Sequence, residues 1–197
     1  MKINEKIKTP DNYRFVAADD WDIARAVVKH DDSRLWTPME AYESLRKGGE
    51  AVQIWLDILK QGVPSFARVV SAHNLIPTQL RYELASVFAG NTVTPTFKCN
   101  YFALGTGSNA PAASDTTLQT ESLRAAFSKR SSYQEVAYLD VFFPSSQVGG
   151  NTYTEAGIFV DATASANSGY LMSRTSMNQV MGANQSLTVN CSITVSS

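Results

Sequence analysis

Residues 51–58 read AVQIWLDI, and where the β part of this chain begins depends on the period they obey. Val52, Ile54, Leu56 and Ile58 alternate with Gln53, Trp55 and Asp57, the period of two expected of a strand with one buried face. Apolar content alone would equally suit a helix. LKQG (59–62) follows as a turn ending in glycine, and VPSFARVVSA (63–72) returns as a partner strand with Pro64 near an edge-strand start. The alternation predicts a β-hairpin over 51–72.

Downstream the strand signals continue. TFKCNYFALG (96–105), YQEVAYLDVFF (133–143), NTYTEAGIFV (151–160) and GYLMSRTSM (169–177) read as strands separated by glycine and proline turns. The clearest is SLTVNCSITVSS (186–197). Leu187, Val189, Cys191, Ile193 and Val195 share one face, and Thr188, Asn190, Ser192, Thr194 and Ser196 share the other. One face is buried, and the other is wet or in contact with a neighbour. Between these strands, Leu80, Leu84, Val87 and Phe88 form one helical face after Pro77-Thr78, with Gly90 as the C-terminal cap. The expected fold is mainly β: an antiparallel β-sandwich over 51–197 carrying one helix near 78–89.

Residues 1–50 have a different character. Acids open DDWDIARAVVKH (19–30), where Trp21, Ala24, Val27 and Val28 lie near one helical face. Thr37-Pro38-Met39-Glu40 combines a capping-box Thr and Glu with Pro at the first helical position, so a helix runs from there to about Lys47 and stops at Gly48-Gly49. Of the 35 Lys, Arg, Asp and Glu residues, 19 fall in 1–50 and only Glu155, Asp161 and Arg174 fall in 144–197. A short, charged, helical N-terminal extension (1–50) ahead of the sandwich (51–197) is the expected division. Trp21, Trp36 and Trp55 are candidate assembly contacts, because alternation points Trp55 outward and the other two sit on the extension.

The bulk numbers narrow the function classes. The chain has 197 residues, 44% hydrophobic and 18% charged, with a net charge of -1. Nothing in that balance draws it to nucleic acid or to an anionic membrane. No apolar run approaches the roughly 18 residues that cross a bilayer, and the start MKINEKIKTPDNYRF lacks the apolar core of a secretory leader. Cys99 and Cys191 read as small buried hydrophobes of a chain made in a reducing cytoplasm.

The segment YFALGTGSNAPAASDTTLQTESLR (101–124) raises the question of phosphate binding. A phosphate loop needs a Lys-Ser/Thr pair opening a helix, and a dinucleotide fingerprint needs a third glycine. GTGSNAPAASDT has neither, so the loop is expected to be structural. Its order of motifs carries a resemblance. An Asn-Leu-Ile segment, an amphipathic helix, YFALGTG, a proline-bearing loop, Asp115-Thr116-Thr117-Leu118, Glu121-x-x-Arg124 and EAGIF (155–159) come in succession before the alternating last strand. Together they resemble a family of small tailed-bacteriophage virion proteins associated with the tail, tail fibre or baseplate, in which a hairpin like 51–72 precedes. The resemblance covers 51–197. It implies a structural protein without catalysis or cofactor, assembled in the host cytoplasm into the virion as a homo-oligomer beside other virion proteins. A head decoration or fibre-base position is a variant of the same expectation.

Three residues are expected to act as a structural clamp: Glu121, Arg124 and Glu155. An arginine fork satisfies loop carbonyls and a carboxylate more readily than a Glu121–Glu155 pair performs glycosidase chemistry. His30-Asp31-Asp32 at a helix end converges poorly on a metal ion, and His73 is expected to hydrogen-bond where the hairpin exits. No catalytic, metal or cofactor-binding residues are expected. The rival function is a host-surface module binding carbohydrate or protein, with Tyr133, Tyr153 and Tyr170 as candidate contacts.

Overall fold

A computed structural model describes residues 13–31, 34–72 and 75–194. In chain order the elements are β1 (Tyr13–Asp19), α1 (Asp20–His30), α2 (Pro38–Arg46), α3 (Glu50–Gln61), β2 (Arg68–Ala72), α4 (Thr78–Phe88) and β3 (Cys99–Gly105). There follow β4 (Glu121–Ala126), β5 (Lys129–Tyr133), β6 (Val136–Phe143), α5 (Ser145–Val148), β7 (Thr152–Val160), β8 (Tyr170–Val180) and β9 (Gln185–Thr194). The strands form two antiparallel sheets, ordered β2-β1-β9-β6-β5 and β4-β3-β7-β8. Tyr13, Phe15, Leu139, Val141, Leu187 and Val189 from the first sheet meet Phe102, Leu104, Ala156 and Ile158 from the second in one apolar cluster. The mainly β expectation stands at this level, while the single helix does not.

The hairpin expected over 51–72 is wrong in its first half. Residues 50–61 are the helix α3, which buries Ala51, Val52, Trp55, Leu56 and Leu59. These positions recur at the 3.6-residue period, and a period of two fits 51–58 as well because all its sites but Gln53 and Asp57 are apolar. Helix-forming Ala, Leu, Gln, Lys and Glu settle the conflict, and Gly62 follows as the C-cap rather than as a hairpin turn. Only 68–72 returns as a strand, and it pairs with β1.

The division at residue 50 is likewise corrected. β1 lies inside the first sheet, flanked by β2 and β9, so the described residues of 13–50 are integral to the fold. Helices α1, α2 and α3 cover the outer face of that sheet through Ile23, Val27, Leu45, Trp55 and Leu56 against Val16, Ala18 and Phe142. The polar face of β9, expected to be wet or against a neighbour, meets this layer. Trp55 is fully buried and its Nε1 donates to Thr188 Oγ1 at 2.9 Å. Trp36 is buried, and Trp21 stacks on Tyr42 with ring centroids 4.3 Å apart. Trp55 is thus not the outward residue that the alternation suggested, Trp36 is covered by its own chain, and Trp21 is half-buried against Tyr42. Residues 1–12, the remainder of the expected arm, lie outside the described residues.

Local chemistry explains the helix starts. Asp19 caps α1 by accepting from Trp21 N at 2.9 Å. Thr37 and Glu40 form the expected capping box, with Glu40 N donating to Thr37 Oγ1 at 3.2 Å and Thr37 N to Glu40 at 2.9 Å. The Thr37 backbone N–H and the Thr37 hydroxyl, both donating to its carboxylate, hold the Glu40 carboxyl below its ordinary range.

One buried carboxylate ties the helical layer to the sheets. Asp20, fully shielded at the start of α1, accepts from Ser145 Oγ of α5 and from Ser186 Oγ of β9. Burial pushes its pKa up, and the two serine bonds offset part of that rise. A raised folded-state pKa means the folded protein binds this proton more tightly than the unfolded chain. Stability from this site is therefore present at low pH and is lost as the pH climbs from the ordinary carboxylate value through the raised one. Asp20→Asn removes the titration. Urea unfolding across acidic to neutral pH should show the variant gaining on the wild type as pH rises; a pH-independent difference would contradict the assignment.

Candidate functional site

The loop between β3 and β4 answers the question its glycines raised: it does wrap an anion, and the anion is the protein's own. Glu155 on β7 is buried. Its Oε1 accepts from Gly107 N at 3.0 Å and Thr120 N at 2.7 Å, and its Oε2 from Gln119 N at 3.0 Å. The glycines exist for this approach. A Cβ at Gly105 would lie 2.5 Å from Thr120 O and 2.6 Å from Glu155 Oε1, and one at Gly107 would lie 2.5 Å from Gln119 Cβ. No side chain fits beneath the carboxylate.

Arg174 of β8 supplies the countercharge. Its Nε donates to Glu155 Oε2 at 2.9 Å, its Nη1 to Asp115 Oδ2 at 2.6 Å and its Nη2 to Asn109 O at 3.1 Å. Asp115 in turn accepts from Ala112 N at 2.8 Å. The far end of the loop is pinned by Thr78 N donating to Ala113 O at 2.7 Å, and Leu75 forms an isolated bridge with Arg174. Loop 105–120 thus lies flat on the sheet, with Leu118 buried beside Ala103, Phe159 and Leu171.

Glu121 and Arg124 build a second clamp on the same sheet. Arg124 Nε and Nη2 meet Glu121 Oε1 and Oε2 at 2.5 and 2.7 Å, and both side chains are buried. Arg124 Nη1 reaches Thr163 O at 3.0 Å and Ser168 O at 3.1 Å, while Glu121 Oε2 accepts from Asn167 N at 3.0 Å. The guanidinium also lies 4.6 Å from the centroid of the Phe159 ring. This fork holds the 161–169 connection. The three expected clamp residues therefore divide, Glu121 with Arg124 and Glu155 with Arg174.

Sequence reasoning missed Arg174 and Asp115. The signal lay in the charge count. Glu155, Asp161 and Arg174 are the charged residues of the final 54, and charges retained in near-neutral strands tend to be paired. Asp161 is used as well, accepting from Thr96 N and Thr96 Oγ1 at 2.5 Å each. Glu121 and Glu155 are each bonded by structural donors and belong to separate networks.

The other candidates disperse. Tyr153 is buried, and burial raises its pKa. Tyr133 is exposed near the β5–β6 turn, and Tyr170 is half-buried on β8. Cys191 is buried in the core and Cys99 packs at its margin with Sγ 3.2 Å from Met172 Sδ. Both are free thiols, and burial pushes the Cys99 thiol up to about 12 and that of Cys191 well above its ordinary value. His30 sits at the exposed end of α1, 3.5 Å from Gln61 Nε2; Asp32 and His73 lie outside the described residues. Among the described residues no cluster of three or more His, Cys, Asp or Glu could hold a metal ion, and no helix is long and apolar enough to cross a membrane.

No protein-family model, curated protein sequence or solved structure matches this chain. Breaking either clamp strands buried groups: losing Glu155 leaves three loop amides without their acceptor and Arg174 with Asp115 as its remaining carboxylate, and losing Arg124 leaves Glu121 buried without its countercharge. Glu155→Gln should destabilise the fold by about 3–5 kcal/mol and Arg124→Ala by about 2–4 kcal/mol in chemical denaturation. A change below about 0.5 kcal/mol in either variant, the scale of a plain surface substitution, would contradict a buried clamp.

Proposed function

We propose that this chain is a structural protein of a tailed-bacteriophage particle, a homo-oligomeric component of the tail, baseplate or fibre-attachment region that contacts other virion proteins and carries out no catalysis. One observation carries the proposal: the residues of the resemblance build two neighbouring clamps on one sheet. Gly105, Gly107, Asp115, Leu118, Glu121 and Arg124 come from one continuous stretch and Glu155 from a later strand, and each helps to hold one of two connections flat against the same sheet. Such an arrangement makes a stiff, shaped face from neutral loops. Stiffness is what a repeated subunit needs, because every copy must present the same contact geometry.

The support from a hairpin at 51–72 is withdrawn, since α3 occupies that place. The apolar side chains open to contacts are also different from those expected. On α4, Tyr82 and Phe88 are 70% and 77% exposed, with Val87 beside them, whereas Trp36 and Trp55 are buried and Trp21 is half-buried. Helix α4 is held mainly through Leu80 and by the loop bond at Thr78. A short helix with its apolar residues in water gains stability when a neighbour covers them.

Quantitative mass spectrometry and cryo-electron microscopy of purified particles test this reading. The chain should be present at a fixed copy number, with its two-sheet density in the tail region. Combined Tyr82→Ser and Phe88→Ser should reduce incorporation several-fold while leaving the melting temperature of the free protein unchanged. Particles free of the chain, or density on the head alone, would overturn the tail assignment.

A further inference from the structure

On the first sheet the helical layer stops short, and the step it leaves is a shallow cavity of about 300 Å³ lined by Arg14, Lys60, Ser131, Tyr138, Asp140 and Asn190. That is the lower end of the roughly 300–1,000 Å³ found for small-molecule sites. Its floor is two adjacent cross-strand rows. In the first, Arg14 of β1 faces Asn190 of β9, Asn190 faces Asp140 of β6, and Asp140 faces Lys129 of β5. In the second, Ser192, Tyr138 and Ser131 stand side by side on the same face. Lys60, near the end of α3, rims the step.

The first row is a fixed polar ladder. Arg14 Nε and Nη2 donate to Asn190 Oδ1 at 3.1 and 2.8 Å, and Asn190 Nδ2 donates to Asp140 Oδ1 at 2.7 Å. Lys129 turns away to Asp57 at 3.0 Å, and Lys60 reaches the same carboxylate at 3.2 Å. Asp140 is therefore a carboxylate only 9% exposed with no directly bonded cation among the described residues. Its Oδ2, the Nη1 of Arg14 and the hydroxyl of Tyr138 take part in no hydrogen bond among those residues. The Tyr138 ring is 43% exposed one row away.

We propose that this cavity is a saccharide-binding site, in which one sugar ring lies on Tyr138 and its hydroxyls bond Asp140 and Arg14. A sugar hydroxyl both donates and accepts. An acceptor-only carboxylate and a donor-only guanidinium, set on either side of Asn190, therefore both match hydroxyls of one ring, while the amphipathic tyrosine takes the C–H face. The planar groups are locked by their mutual bonds before any ligand arrives, which lowers the ordering cost of binding. Net charge at the step is mixed, so a simple anion gains from Arg14 and Lys60 only against Asp140. The site is independent of the particle assignment, and a free chain suffices to test it.

Saturation-transfer NMR on the full chain, with a panel of methyl hexosides and N-acetylhexosaminides as probes, should show transfer to the ring protons of at least one sugar at millimolar concentration. Tyr138→Ala and Asp140→Asn should each weaken that binding about tenfold, Tyr138→Phe should retain it, and Tyr133→Ala, outside the cavity, should leave it unchanged. Circular dichroism confirms that each variant is folded. Absence of transfer to every sugar, or transfer unaffected by both Tyr138→Ala and Asp140→Asn, would overturn the proposal. So would complete displacement of the sugar by inorganic phosphate together with retained binding in Tyr138→Ala, which would mark an anion patch built on Arg14 and Lys60.

Discussion

The second sheet depends on a carboxylate that has left water. Glu155 is buried on β7, and its ionised form is tolerable only because Gly107, Gln119 and Thr120 aim their amides at it and Arg174 supplies a guanidinium. Desolvating an ion costs several kcal/mol, and recovery requires nearly every lone pair to be met. The consequence is cooperative. The loop cannot lift at one point without stranding the charge, so 105–120 behaves as part of the sheet despite its small, polar composition. The Glu121–Arg124 fork repeats this logic for 161–169, and the two clamps together roof the outer apolar cluster around Phe159.

The first sheet is covered by a different device. Beside Val16, Ala18 and Phe142 its outer face carries Ser186, Thr188 and Asn190, so the helical layer that settles there also has to bring polar partners. Trp55 meets that need by burying a large ring and donating its indole N–H to Thr188. Asp20 does so at the other side, joined to Ser145 and Ser186. Where α3 ends, the same row of polar side chains continues uncovered, and the cavity over Arg14, Asn190 and Asp140 is what remains.

Much of this was legible in the sequence, for identifiable reasons. Thr37 to Glu40 fixes a helix start through short-range bonds, so local sequence suffices. The alternation of 187–193 names the buried face of β9 because the strand is half polar. Residues 51–58 misled because their apolar sites are too dense to select a period. The error moved the domain boundary and turned Trp55 outward, and it hid β1, whose partners are β2 and β9. The clamp residues were recognisable one by one, but the pairing of Glu155 with Arg174 is a cross-strand fact that no local pattern encodes.

If the loop is anchored on a buried anion, its amides should exchange as sheet amides do. Residue-resolved hydrogen exchange of the wild-type protein measures this directly. Protection of Gly107, Gln119 and Thr120 comparable to that of Phe102 and Ile158 in the neighbouring strands is the predicted result. Exchange of those three amides at the rate of an open surface loop, with the strands still protected, would contradict the account.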